Sequence, residues 1–472
     1  MPVTTKVLIL GGGISGLSLG WKLAEKGVSV EVLEAKESVG GLAATVRMDG
    51  HSMDYGPHSL FSEDPRILNT IRTLFDGGIS AGVRDVRLYM SGKYLRYPLN
   101  AEDIILKLGA WPSARCFVSF LLTKMSKAPH YGSRGPTMEQ WSRRQFGRGL
   151  HELFFKPYTE QFWDVKCSEL SPDCIPSYKH MSFTRTLKLL VTPRKRRENV
   201  SIVDREMLPL YYPREGFGAI ADRVAQRLTS AGGSIHTGLR ASEARRLKGG
   251  GFLVKARNRE GEEREFEADY VVSTIPISRF ARMITPKIPH EAYEAAQALK
   301  YLSLLVLYVA TDKRKLLNCM YEYCLEKPYN RITDVNNFTL VPDAQRTGNM
   351  LSIEQSCHMG DRWWKQSKEE LFKRYLPHLE EEGILKESDV TALYLLKAPY
   401  AYPMYLYNYK ESLSIFRKFI ATEPNLRICG RIGAFRYMDI DQCMKLAFGL
   451  ADEMARTISE KQRTQRGKKS AS

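Results

Sequence analysis

No apolar stretch of the sequence is long enough to cross a bilayer: its best candidates, "CFVSFLLTKM" and "YLSLLVLYVA", have about half the length a transmembrane helix needs. There is no CxxC pair and no His/Cys cluster at zinc spacing. The eight cysteines are scattered, so neither a disulfide framework nor a metal site is expected, and the thiols read as buried. The beginning of the chain lacks the charged start and small-residue cleavage site of a signal peptide, which predicts a cytoplasmic address. Acidic residues are in deficit, 53 against 70 lysines and arginines. The resulting charge of +17 asks for an anionic partner: a phosphorylated small molecule, an acidic membrane surface or a nucleic acid. Two basic runs, "RKRR" at Arg194 to Arg197 and the tail "KQRTQRGKKSAS", have no RNA- or DNA-binding signature beside them. They read as solvated, mobile segments with no nucleic-acid role, and the tail is left as a place for peripheral membrane contact.

What is present begins with a βαβ unit. "KVLIL" has the pattern of a strand, "GGGISG" of a turn, "ISGLSLGWKLAEKG" of a helix closing on Gly27, and "SVEVLEA" of a second strand. Gly11, Gly13 and Gly16 form GxGxxG at its turn, and Glu34 ends the second strand eighteen residues after Gly16. Glycines there let the backbone approach a pyrophosphate at a helix N-terminus, and the carboxylate accepts hydrogen bonds from a ribose. A second glycine pair, Gly40 and Gly41 in "VGGLAAT", follows closely and precedes "MDYGPHSLF". That pattern belongs to FAD proteins of the glutathione-reductase type, so FAD is preferred to NAD.

With 472 residues, 43% of them hydrophobic, more than one domain is expected. The predicted fold is α/β: an FAD-binding Rossmann-like domain with a helical insertion and a second, mostly antiparallel sheet domain. The FAD-binding domain takes residues 1–99, 201–280 and 416–460. The helical insertion takes 100–200, the antiparallel-sheet substrate domain 281–415 and the basic tail 461–472. Strands of the substrate domain are expected at "LSLLVLYVA", "NNFTLV", "NMLSIEQ" and "DVTALYLLK". Near the end, "CGRIGAFRYMDIDQC", Cys429 to Cys443, reads as a glycine-bent loop feeding a helix N-terminus, a place that collects anions.

Across nearly the whole chain these motifs resemble the flavoenzyme superfamily of amine oxidases, protoporphyrinogen oxidase and UDP-galactopyranose mutase, and the later ones look most like the mutase. "KPYTEQFWDV" is similar to the mutases' tyrosine–threonine–glutamate segment, which implies that Tyr158 and Trp163 flank the uridine and sugar. "KPYNRITDVNNF" resembles their proline–tyrosine–x–arginine segment, which puts Arg331 at the substrate diphosphate. "PYAYPMY" supplies Tyr402. "GRIGAFRYMDID" supplies Gly430, Arg431, Tyr437 and Asp439 for flavin and diphosphate, with the two tyrosines thirty-five residues apart. His58 corresponds to a histidine close to the isoalloxazine. Arg436 has no assigned role and reads as a surface or ion-paired residue.

The resemblance implies ring interconversion of a nucleotide-activated sugar between pyranose and furanose forms. Reduced flavin would be the nucleophile and an external reductant such as NAD(P)H its electron source, with Arg331 and the two phenols stabilising the diphosphate. The lid arginine of the mutases is missing from "DCIPSYKHMSFTR", so Tyr178, Lys179 or Arg185 would have to serve. An FAD-dependent oxidoreductase of the amine oxidase or protoporphyrinogen oxidase type is the competing class. "CGR" with "RYMDID" in place of the acidic "GE" pattern of amine oxidases speaks against it. A flavin-containing binding or assembly protein is a third reading. Each residue also has a plainer one: Trp163 as core, Tyr402 as one of several strand tyrosines, Arg331 as a partner of Asp334, His58 as a satisfied polar group.

Overall fold

The structure, a computed structural model, describes residues 5–76, 78–97, 101–127, 131–175 and 209–470. Tyr178, Lys179, Arg185 and the run at 194–197 lie outside the described residues.

After Lys6 the strand Lys6–Leu10 is apolar and buried on both faces, as a central parallel strand should be. It pairs in parallel with Ser29–Leu33 on one side and Tyr270–Ser273 on the other. Ser234–His236 and Leu426–Ile428 extend the sheet to five parallel strands. Their order means that the chain leaves this sheet and returns to it three times. Helix Ile14–Ala24 packs between Ala219–Ser230 and the C-terminal helix Ile440–Ser470. A four-stranded sheet of Arg240–Arg246, Phe252–Arg257, Glu263–Ala268 and Ile284–Thr285 flanks this core.

The second sheet has seven strands in the order Val390–Pro403, Tyr301–Thr311, Asn349–Cys357, Arg331–Asp334, Tyr321–Cys324, Val86–Met90 and Lys93–Arg96. All neighbours are antiparallel except Tyr321–Cys324 with Val86–Met90. Its last two strands come from the N-terminal stretch of the chain. The expected strand "NNFTLV" is not one. Val335–Phe338 is a helical turn capped by the Asp334 carboxylate, which accepts from the Asn337 N–H at 3.0 Å, and the strand lies just before it.

Among the described residues from 101 to 175 the structure is helical. Thr137 and Gln140 form a capping box that starts the helix Met138–Leu150. Gly147, at φ +83°, interrupts that helix where it presses on Ala110–Met125: a Cβ on Gly147 would stand 2.7 Å from the Phe120 nitrogen. The chain then passes through one wide turn, His151–Phe155, into Lys156–Trp163, which Asp164 ends in a left-handed conformation. At the other end of the chain, the helix Ile440–Ser470 continues through residues expected to form a mobile tail. That stretch is rich in lysine, arginine and glutamine, which favour helix, and has no proline. No helix among the described residues is long and apolar enough to cross a membrane.

Candidate active site

A cavity of about 1160 Å³ opens at the C-terminal ends of the parallel strands and runs to the second sheet. Its wall is drawn from both sheets, the helix Lys156–Trp163 and the loop after Cys429. Among the described residues, every candidate named from the sequence lines it except Gly16. A Cβ on Gly16 would fall 2.1 Å from the Gly11 carbonyl oxygen, so this glycine serves the close packing of helix on strand.

At the nucleotide end, the Gly11 N–H donates to Leu33 at 2.8 Å and the residue has φ +107°, with no room for a side chain beside Thr274. Gly13 starts the helix Ile14–Ala24 with no side-chain cap, which leaves the helix N-terminus open to the cavity. Gly40 and Gly41 both have positive φ, and Gly40 donates to the Gly12 carbonyl at 2.8 Å, locking the second glycine turn against the first. Glu34 accepts from the Gly12 N–H at 2.7 Å and the Lys36 N–H at 2.8 Å. A carboxylate has about four acceptor positions, so capacity for a ribose hydroxyl remains.

The loop after Cys429 enters on Gly430, at φ +83°, where a Cβ would meet Ser15 Oγ at 2.6 Å. Arg431 donates from Nε to the Ala401 carbonyl at 3.1 Å and from Nη1 to the Met438 carbonyl at 3.3 Å. Its guanidinium carbon lies 4.4 Å from the Tyr437 ring centre and 4.8 Å from that of Tyr402. Those rings are parallel within 9° at 6.0 Å, so one cation holds both phenols. Burial works against the charge of Arg431, but Tyr437, Tyr402 and Asp439 outweigh it and hold the pKa above its ordinary value. Burial raises the pKa of Tyr402 and of Tyr437, which keeps both hydroxyls protonated. Asp439 lines the cavity one residue before the helix Ile440–Ser470.

Arg331 does not pair with Asp334. Its Nε and Nη2 donate to the two carboxylate oxygens of Glu354, at 2.7 and 2.6 Å, across adjacent antiparallel strands. The Glu354 side chain is 3% exposed and that of Arg331 17%. Burial opposes the charge on Arg331, but Glu354 more than restores it, and the guanidinium titrates well above its usual range. Tyr321 and Tyr323 face the same guanidinium, with ring centres 5.4 and 5.5 Å away. His58 stacks on Phe217 at 5.4 Å, and its Nδ1 has no hydrogen-bond partner among the described residues. Burial, with the charges of Arg431 and Arg331, pushes this imidazole down to about 3. Tyr158 stacks on Phe154, while Trp163 is nearly covered and meets the Tyr402 ring edge-on at 6.3 Å. Trp163 is thus both core and cavity wall.

Sequence reasoning missed three lining residues. Glu354 is a lone acid in a nine-residue strand that is buried throughout, and a buried charge needs a partner, which is the signal that could have found it. Arg436, read as a surface or ion-paired residue, is exposed and also lines the cavity. So does Arg417 of the helix Tyr409–Thr422, and both act with Arg431 on the Tyr405 hydroxyl. Among the described residues no cluster could hold a metal ion.

The sequence model described as flavin containing amine oxidoreductase matches residues 14–439. A Klebsiella pneumoniae protein named probable UDP-galactopyranose mutase is 26% identical over 170 residues, 35% of this chain and 42% of that one. The coproporphyrinogen III oxidase of Propionibacterium freudenreichii subsp. freudenreichii is 26% identical over 181 residues, 36% of this chain and 34% of that one. The matched stretches thus span less than half of either curated relative. Among solved structures, a reduced UDP-galactopyranose mutase superposes with a TM-score of 0.77 at 19% identity, over 96% of this chain and 94% of that one. Cyclohexylamine oxidase from Brevibacterium oxydans superposes with a TM-score of 0.67 at 14% identity, over 97% and 100%. At such identities these likenesses show the fold. The residues present fit FAD: an uncapped helix N-terminus, two interlocked glycine turns, a carboxylate with free acceptor capacity, and a volume beyond the drug-sized range. The chain belongs to the flavin containing amine oxidoreductase family, and FAD is its cofactor.

Proposed function

We propose that the protein is a UDP-galactopyranose mutase-like enzyme that interconverts pyranose and furanose forms of a nucleotide-activated sugar. The observation that carries this reading is one cavity that holds the dinucleotide cradle together with Arg331 and with Arg431 between the phenols of Tyr402 and Tyr437. In its reduced form FAD supplies a nucleophile toward the sugar's anomeric carbon. The chain's own residues bind the substrate and receive the charge that develops on its diphosphate. Arg331 has five N–H donors and gives two to Glu354, so three remain for diphosphate oxygens. The protonated phenols of Tyr402 and Tyr437 donate beside it. These contacts strengthen as the anomeric bond breaks, and such interactions lower a barrier. Neutral His58 lines the cavity with an unpartnered Nδ1 and adds no third positive charge. Arg417 and Arg436 supply cations on the wall where the mutases rely on a lid arginine.

The test is a panel of nucleotide sugars offered to oxidised and to dithionite-reduced enzyme. Isomerisation by the reduced form alone is the expected result. Oxygen uptake with an amine or a porphyrinogen, without isomerisation, would move the protein to the oxidoreductase reading.

Gly13→Val tests the cradle. In the folded protein a Cβ on Gly13 meets nothing closer than 3.9 Å, and its φ of −73° suits any residue. The variant is expected to fold with the melting temperature of wild-type apoprotein and to lose FAD, because the new methyl groups block backbone approach. Absorbance at the flavin band beside apoprotein melting measures both. Full FAD occupancy would remove Gly13 from the site.

His58 gives a pH dependence of known sign. Its folded pKa, about 3, lies below the ordinary 6.5, so unfolded chain takes up a proton in that window that folded chain does not. The stability contributed by the neutral ring is therefore present above pH 6.5 and lost as pH falls toward 3. Melting temperature is expected to drop less steeply over this range in His58→Gln than in wild type. Equal slopes would show that the ring is protonated in the folded state.

A further inference from the structure

Helix Ala110–Met125 has two apolar faces, and only one of them is covered. Cys116 and Phe120 are buried against the helix Met138–Leu150, where Gly147 and Gly149 admit them closely. On the opposite side Trp111, Val118, Leu121, Leu122 and Met125 recur at spacings of seven, three, one and three, which is one stripe of an α-helix. Trp111 is 80% exposed, Leu122 62% and Met125 83%, and Leu106, just before the helix, is 74% exposed. Isolated exposed apolar residues are ordinary, but a continuous stripe of this kind marks an interaction surface.

The charges say what covers it. Between Asp103 and Glu139 the chain has no acidic residue and five basic ones: Lys107, Arg115, Lys124, Lys127 and Arg134. Lys107 pairs with Asp103, Arg115 with Glu152 and Arg134 with Glu411. Lys124 donates to the Arg144 carbonyl, and Lys127 is exposed with no ion pair among the described residues. Arg115 and Arg148 share the single carboxylate of Glu152, and Arg144 donates to uncharged oxygens of Thr123 and Ser126, so the face keeps a net positive charge that a second copy docking about a two-fold axis would bring together. An anionic lipid surface meets the basic flanks and takes up the apolar stripe, with tryptophan at its usual interfacial depth. We propose that the helix Ala110–Met125 is a membrane-surface anchor, lying in the headgroup region of an anionic bilayer without crossing it. The assignment is independent of the reaction. It places membrane contact on this helix and not on the basic tail.

The test is co-sedimentation of the FAD-loaded full chain with vesicles of phosphatidylcholine alone or mixed with phosphatidylglycerol. Binding to the mixed vesicles that weakens as salt rises, with little binding to phosphatidylcholine, is the expected result. The combined variant Trp111→Ser, Leu122→Ser and Met125→Ser is expected to partition about a hundredfold more weakly. All three side chains are exposed, so its flavin content and melting temperature stay at wild-type values. Lys124→Glu with Lys127→Glu, which leaves the stripe intact, is expected to weaken binding to mixed vesicles alone. Three results would overturn the proposal: no binding of wild type to mixed vesicles, equal binding by the triple variant, or a wild-type dimer that the triple variant converts to monomer without vesicle binding. Protection of Met125 from oxidation in lipid-free protein would overturn it as well, since the stripe would then be covered by the chain itself.

Discussion

Arg331→Ala is expected to lower turnover of the reduced enzyme on its nucleotide sugar by roughly 10²–10³-fold, the usual loss when a donor to developing negative charge is removed. In the proposed reaction that charge appears on the departing diphosphate, so the loss should fall on kcat more than on KM. Arg331→Lys keeps the charge but loses the fork that matches two oxygens at once, and should recover only part of the rate. Stability has to be separated from this, because Arg331 also neutralises Glu354, whose side chain is 3% exposed. Deleting one member of such a pair costs about 3–5 kcal/mol, whereas replacing both with neutral groups costs far less. The double variant Arg331→Met with Glu354→Gln is therefore expected to melt near wild type and still fail to turn over. Near-normal turnover by that double variant would show that Arg331 is only a structural partner.

The nucleotide end was legible because it is local. Gly11, Gly40, Gly41 and Gly430 stand where the backbone takes positive φ, a region that favours glycine whatever packs around it. The parallel core was legible for a similar reason, as "KVLIL" and "YVVS" are short apolar runs between turn signals. What escaped depends on pairing between distant strands. Asp334 lies three residues from Arg331 and was the visible partner, but a side chain three positions along a strand lies on the other face. The register instead sets Arg331 opposite Glu354, which no local pattern announces. Val86–Met90 and Lys93–Arg96 join the second sheet through another such long-range pairing. In "ARCFVSFLLTKM" the helix was legible, but both of its faces are apolar, and only packing shows that Cys116 and Phe120 are the buried pair.

Glu354→Gln is expected to be strongly destabilising, and to be the change at this site most strongly repaired by ligand. Glutamine is nearly isosteric with glutamate and still accepts one hydrogen bond, so the cavity keeps its shape while the guanidinium of Arg331 loses its counter-charge. A buried cation left unpaired costs about 3–5 kcal/mol, and the melting temperature of the FAD-loaded variant should fall accordingly. A nucleoside diphosphate bound at Arg331 supplies the missing negative charge. In wild type the carboxylate and the diphosphate compete for one guanidinium; in the variant the ligand has no competitor. By linkage, uridine diphosphate is expected to bind the variant about tenfold more tightly and to raise its melting temperature by more than it raises that of wild type. Titration of flavin absorbance gives the affinity and thermal unfolding with and without ligand gives the stabilisation. An unchanged or weaker affinity in Glu354→Gln, with the fold intact, would place the diphosphate away from Arg331, because a cation released from its carboxylate partner must draw a nearby anion closer.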